Sequence, residues 1–291
     1  DLILKYLCTD DAKQRLLFDL PKLEPLVNQQ LGKYKWWQKI ILFIKAKRHI
    51  TQLDALQSII HADTSKTPKR LNINTYTLSQ KQTQAINKLT RQHVGLTGTS
   101  LYYIGCFMRA LHRTNPDQAG DAYCTPYAFN LRKNKALSPL LGNHVAPLFA
   151  QAPKQILHDR VALFQHLKQQ NANTLREKLD YAFLPVMWAA SWLSLEKHGE
   201  KLRKSMLTDT ERSSFWFSDI GKPDLSGLTF FGSEIVDLIH LCQISSPPAL
   251  ALLSCHYRQR LSLTYNYIEP YINAEFMEQL QQLMLQELLG E

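Results

Sequence analysis

Apolar positions recur with a helical period from Leu2 to Leu7 and again from Asp10 to Leu20, where Leu16, Leu17 and Leu20 share a face and Pro21 and Pro25 end the run. The stretch Lys33 to Arg48 is also helical in pattern. On a wheel, Lys35, Gln38, Lys39 and Lys45 fall together, and Trp36, Trp37, Ile40, Ile41, Phe43 and Ile44 lie opposite. Thr51 to Lys69 is polar and turn-rich and reads as a linker. Leu71 to Tyr76 alternates as a strand, and Ser79 is the natural N-cap of a helix through Arg91 that buries Ile86 and Leu89 and closes at Gly95. A second helix, from about Gly98 to Leu111, is apolar enough to be buried.

Pro126 to Phe149 reads as two short strands joined by a lysine-rich loop, the second opening on the turn pair Gly142-Asn143. Helices are predicted around Ile156 to Gln169 and Thr174 to Lys197, the latter interrupted by Pro185. Phe215 to Pro223 is a strand running into a turn. Ile235 to Leu241, Ala249 to Tyr257 and Arg260 to Tyr267 are strand-like, the last two linked as a hairpin by Arg258-Gln259-Arg260. A final helix covers about Asn273 to Leu289.

Composition adds size and charge to this picture. With 291 residues, 45% of them hydrophobic, the chain can bury a sizeable core as one large domain or two modest ones. No apolar run reaches the roughly 18 residues of a membrane span, and the first residues lack a signal-peptide pattern. The absence of an initiator Met leads us to expect that Asp1 is not the natural start. The five cysteines are scattered and form no CxxC, which suggests neither a zinc site nor a disulfide framework.

A formal charge of +9 favours an anionic partner: nucleic acid, an anionic membrane or a phosphorylated ligand such as coenzyme A. The densest basic cluster, Lys33 to Arg48, holds six bases and no acid, interleaved with a broad apolar face rather than with base-reading side chains. Nucleic acid is therefore the weakest of the three. Two readings of this segment remain open. It lies in a lipid headgroup region through Trp36, Trp37, Lys39 and Phe43, or it docks its apolar face on the protein's own core.

Common catalytic signatures are absent: no phosphate-binding Gly-rich loop, nucleophile elbow, His-Glu-x-x-His or dinucleotide fingerprint. His61-Ala62-Asp63 and His158-Asp159 place His near a carboxylate, and both read as structural. No metal site is expected.

The order of elements is more specific. Leu71 to Tyr76 with Leu78-Ser79, a helix ending at Gly95-Leu96-Thr97, a buried helix ending Arg109-Ala110-Leu111, Phe129-Asn130-Leu131-Arg132, Gly142-Asn143 with Pro147-Leu148-Phe149, Ser218 to Pro223, and Leu261 to Asn266 resemble the second half of one family. That family is the coenzyme-A-dependent acyltransferase superfamily with the chloramphenicol-acetyltransferase-like fold. The branch it looks most like is the bacterial wax ester synthase/diacylglycerol acyltransferases, followed by condensation domains.

The resemblance implies an α/β fold: a mixed sheet flanked by helices, forming the second lobe of a two-lobe enzyme. Residues 1–70 would be a helical and basic amphipathic connection and 71–291 the carboxy-terminal lobe. The family's general-base His belongs to His-His-x-x-x-Asp-Gly at the end of the first lobe. This sequence contains no such motif, so the first lobe and the base are expected upstream of Asp1. By the same resemblance Asp1 is a candidate for the motif Asp, with Leu2 in place of Gly, and Arg132 is its candidate partner. Asn143, Pro147, Leu148, Phe149, Ser218 and Asp219 would border the substrate tunnel.

Two departures from the family pattern stand out: Asp219, Ile220 and Lys222 within the Ser-Asn-x-Pro-Gly-Pro segment, and Thr99-Ser100 where many relatives have Asn-Asp. The implied activity is transfer of an acyl group from a coenzyme A or carrier-protein thioester to a hydroxyl or amine, with no cofactor beyond the donor. The alternative is a non-catalytic interaction module of the same fold that recruits a carrier protein or membrane.

Overall fold

In the computed structural model, the residues described are 31–63, 65–96, 98–131, 145–190, 192–194, 196–197, 199–200, 211–225, 229–230 and 232–291. Three of the helices that pack the core begin where the sequence supplies an oxygen for free amides. Ser79 caps the helix Gln80–Val94 in a reciprocal box with Gln82. Asp159 Oδ1 accepts from Val161 N at 2.8 Å and Ala162 N at 3.0 Å at the start of Arg160–Arg176, and Asn273 Oδ1 accepts from Phe276 N at the start of Ala274–Leu289. In chain order the helices are α1 (Trp36–Leu53), α2 (Gln80–Val94), α3 (Thr99–Thr114), α4 (Arg160–Arg176), α5 (Leu179–Ala190) and α6 (Ala274–Leu289).

The strands are β1 (Arg70–Thr77), β2 (Ala122–Asn130), β3 (Val145–Pro153), β4 (Trp216–Asp219), the two-residue strands β5 (Thr229–Phe230) and β6 (Ser233–Glu234), β7 (Leu250–Tyr257) and β8 (Arg260–Glu269). The main sheet runs β1-β8-β7-β4, with β4 parallel to β7 and the other pairs antiparallel. The β7-β8 hairpin turns through Arg258 and Gln259, both at positive φ. The β2-β3 hairpin lies beside β4. Ser214 N donates to the Cys124 carbonyl, Cys124 N to Ser214 Oγ, and Thr125 Oγ1 to the Phe215 carbonyl at 2.8 Å, next to Pro126, which has no N–H to offer.

The register gives this layer two unlike faces. Phe217, Leu252, Leu263 and Tyr265, joined by Tyr127 and Leu148 of the β2-β3 hairpin, point into the main core with Tyr103, Phe107 and Leu111 of α3 and Met277 and Leu280 of α6. The opposite face carries Thr75, Thr264, Ser262 and Asn266, of which Thr75 and Thr264, and Thr77 and Ser262, meet as hydroxyl pairs. A second cluster joins Leu42 and Ala46 of α1 to Leu131, Ala146 and the Leu179, Ala182 and Phe183 side chains of α5.

The α-helical layer is pinned by Glu287. Its side chain is 1% exposed and accepts from Arg109 Nε at 2.6 Å, Arg113 Nη1 at 2.9 Å and Arg160 Nη1 at 3.1 Å, which ties α6 to α3 and α4. Arg160 Nη2 also donates to Tyr102 Oη at 2.8 Å and the Glu287 carbonyl at 2.6 Å, and Arg109 Nη1 donates to the Leu157 carbonyl.

Most of the predicted elements are present, with five corrections. The second strand of the central hairpin continues to Pro153. The helix expected from Ile156 starts at Arg160, because Ile156 belongs to a short 3-10 turn and the Asp159 cap sets the start; the next ends at Ala190 and carries Pro185 inside it. Ile235 to Leu241 is not a strand. Its apolar residues do not alternate, Ile235-Val236 and Leu238-Ile239 being adjacent pairs, and both edges of β7 are already taken by β8 and β4. The segment read as a linker is also not wholly so: α1 extends to Leu53, Ser58 bridges to Ala122, and Ile59 is fully buried.

His61 lies in that same segment, apart from Asp63, whose carboxylate engages Ser65 and Lys66. The His61 ring stacks on Tyr123 with Nε2 3.0 Å from its hydroxyl. Burial, with the charges of His112 and Lys154, lowers its pKa to about 4. The native state therefore keeps His61 neutral while the unfolded chain takes up a proton below pH 6.5. Stability is expected to fall by about 3 kcal/mol as pH drops from 6.5 to 4, and His61→Gln should remove that part of the slope in urea midpoints measured against pH. Glu287→Ala strands three arginines and is expected to cost about 3–5 kcal/mol in denaturant unfolding.

Candidate functional site

Pro126, Pro147 and Phe149 stand on the face of the β2-β3 hairpin opposite Tyr127 and Leu148. They form one wall of a cleft of about 730 Å³ whose other walls are Trp216 of β4, the Gln57-Ser58 segment and Glu211 to Ser213. The cleft has a fixed cation. Arg212 Nε and Nη2 donate to the two oxygens of Asp54 at 2.6 and 2.9 Å, and the guanidinium lies 5.8 Å from the centre of the Phe149 ring. Ser58 Oγ donates to the Arg212 carbonyl at 2.6 Å, and Trp216 Nε1 donates to Ser245 Oγ at 3.0 Å. Backbone position and side-chain direction of Arg212 are thus both held.

This arrangement suits binding better than proton transfer. Apolar surface from two prolines, Phe149 and Trp216 lies beside a charged, amide- and hydroxyl-bearing rim. Among the described residues its lining includes no histidine, cysteine, lysine or tyrosine, the groups that most often move protons near neutral pH. Among the described residues no group of three or more His, Cys, Asp or Glu could hold a metal ion.

Strand alternation separates the residues proposed for the tunnel. Pro147 and Phe149 line the cleft, while Leu148 is 1% exposed in the main core on the other side. Ser218 is on the same face of β4 as Trp216, and Asp219 faces the helices with Phe217. Asp1, Arg132 and Asn143 lie outside the described residues. On α1, Trp36, Trp37 and Phe43 are exposed and Lys39 is half-buried.

Asp219 meets the other departure from the family pattern. Ser100 Oγ, in the first turn of α3, donates to Asp219 Oδ2 at 3.2 Å, and Gly221 N donates to Oδ1 at 2.9 Å. Where the resemblance puts a carboxylate at 100 and an amide at 219, this chain has a hydroxyl at 100 and the carboxylate at 219, at the positively polarised start of a helix. On the neighbouring strand His256 stacks on Tyr103, with Nε2 3.3 Å from the hydroxyl. Burial lowers the His256 pKa, opposed by the Asp219 charge.

Asp54, Arg212 and Trp216 had no local signature in the sequence. Asp54 and Arg212 are 158 positions apart, and each sits in a stretch with no motif.

No protein-family model matches the chain, and no curated protein matches it significantly in sequence. Solved structures do match in shape. The trichothecene 15-O-acetyltransferase TRI3 from Fusarium sporotrichioides superposes with a TM-score of 0.60 at 13% identity, over 84% of this chain and 52% of that one. The epimerization domain from the third module of tyrocidine synthetase B gives 0.57 at 12% identity, over 84% and 55%. The condensation domain of the enacyloxin polyketide synthase gives 0.56 at 12% identity, over 85% and 46%.

The fold is that of an acyltransferase-like lobe. At these identities the likeness concerns fold, and the chain spans about half the length of each of the three structures. The cleft lies on the side of the β2-β3 hairpin away from Tyr127 and Leu148, and its Phe149 wall is backed by Phe183 of α5 and His49 of α1, whose rings lie 6.0 and 6.3 Å from its own.

The cleft geometry yields its own check. Arg212 and Asp54 are both partly exposed, 26% and 49% by side chain, so Asp54→Ala is expected to lower stability by less than about 1 kcal/mol in the same unfolding measurement that registers Glu287→Ala.

Proposed function

We propose that this chain is the binding lobe of an acyl-transfer enzyme, in which an acyl thioester, carried on coenzyme A or a carrier protein, lies along the cleft and passes its acyl group to a hydroxyl or amine. The observation that carries this reading is the cleft of about 730 Å³, with Pro147 and Phe149 on its wall. Support also comes from the fold, shared with an acetyltransferase and with an epimerization and a condensation domain of assembly-line synthetases. The order of short motifs favours a wax ester synthase-like member.

In the proposed reaction a general base takes the proton of the acceptor, the acceptor oxygen or nitrogen attacks the thioester carbonyl, and the thiolate leaves and is protonated. Among the described residues the cleft has no histidine, and in this reading the base belongs to a second lobe, as the family resemblance implies. Phe149 and Trp216 provide apolar surface for the acyl chain. The Asp54-held Arg212 marks the polar end of the cleft, where an anionic or strongly polar part of the donor would lie.

Steady-state assays of the complete polypeptide with acyl thioesters of increasing chain length test this reading. Phe149→Trp narrows the cleft and is expected to lower kcat/KM for long-chain donors about tenfold or more relative to short ones, with thermal stability little changed. Undetectable thioester consumption with every donor and acceptor class would favour the non-catalytic module. Turnover whose chain-length preference ignores Phe149→Trp would place the acyl chain elsewhere.

A further inference from the structure

Helix α1 turns its most apolar face to solvent. Trp36 is 74% exposed and Ile44 58%, and Trp37, Ile40, Ile41 and Phe43 are each more than two-fifths exposed. Spaced at i, i+4, i+7 and i+8, they form a continuous band along the first half of the helix. The helix does not depend on this band to stay in place. Leu42, Ala46 and Leu53 on the other side are buried, and Lys45 Nζ donates to the Glu177 carbonyl at 3.0 Å. Docking of the apolar face on the protein's own core, one of the two readings left open by the sequence, is therefore not what the described residues do.

The charges around the band identify what fits it. Lys33, Lys35, Lys47 and Arg48 are exposed, Lys39 is half-buried, and no acidic residue occurs between Lys33 and Leu53. A partner must accept a wide apolar band and repeated positive charge together, and tryptophan is favoured where an apolar phase meets water. No described helix is long and apolar enough to cross a membrane. From this we infer that α1 lies in the plane of an anionic lipid bilayer, with Trp36, Ile40 and Ile44 inserted at the level of the headgroups and Lys35, Lys47 and Arg48 against lipid phosphates or carboxylates. The inference rests on α1 alone and does not depend on the acyl-transfer reading.

Cosedimentation of the complete polypeptide with vesicles tests it. Binding is expected to phosphatidylcholine vesicles containing about one-third phosphatidylserine, to weaken on pure phosphatidylcholine, and to fall as salt is raised. Lys35→Gln and Lys47→Gln should each weaken it about fivefold, and Trp36→Ala combined with Ile44→Ala about tenfold or more. All four positions are exposed, so melting temperatures should not change, and donor turnover in lipid-free solution should not either. Equal vesicle binding by the Trp36/Ile44 variant would overturn the inference. So would a lipid-independent dimer that the same variant dissociates, which would assign the band to a second copy of the chain.

Discussion

One buried carboxylate sets the geometry of the helical layer. Glu287 is nearly the last residue of α6, and its two oxygens are shared by three guanidiniums from α3 and α4. Such a cluster is costly to desolvate and is tolerated only when every group finds partners. Here the surplus positive charge is spread over the Leu157 and Glu287 carbonyls and the Tyr102 hydroxyl, and Arg113 remains partly in solvent. Non-directional packing would let three helices slide over the sheet. The forked donors of three arginines on one carboxylate allow a single arrangement, and Arg160 extends it by lying over the Tyr102 and Phe164 rings.

That fixed layer covers only one side of the sheet, and the division of labour follows. Helices need an apolar surface to pack on, so β4, β7 and β8 offer them Phe217, Leu252, Leu263 and Tyr265. On the other side Thr75 and Thr264, and Thr77 and Ser262, pair their hydroxyls and Asn266 donates to the Cys242 carbonyl, beside the buried Ala251, Leu253 and Cys255 of β7, and Trp216 of the cleft stands on this same side. With a period of two along a strand, sequence neighbours have opposite fates. Leu148 can support a ligand wall only through the backbone it shares with Pro147 and Phe149, and Asp219 can affect Ser218 only in the same indirect way.

The elements most legible in the sequence were those whose causes are local. Ser79 with Gln82, the alternation of Leu71 to Tyr76, the Arg258-Gln259 turn and the apolar run from Leu101 to Leu111 each carry their structure within a few residues. What was not legible depends on partners far along the chain. The coil at 235–241 has the apolar content of a strand without its alternation, and both edges of β7 are taken, by β8 and by β4. The cleft was legible by half: Pro147 and Phe149 came from a motif order, whereas Asp54, Arg212 and Trp216 are joined only by tertiary contact. Glu287 reads in sequence as one more polar residue of an amphipathic helix, since nothing in that helix names its three partners.

The contact between Ser100 and Asp219 shows how two departures from a pattern can be one change. Taken singly, a hydroxyl where relatives carry Asp and a carboxylate where they carry Asn both count against kinship. In space the two side chains are hydrogen-bonded at 3.2 Å, and the pair still consists of one carboxylate and one neutral donor. Asp219 holds its negative charge at the strand end beside the first turn of α3, where exposed amides and the helix dipole favour it. Its second oxygen is taken by the Gly221 amide, which holds the turn after β4 closed.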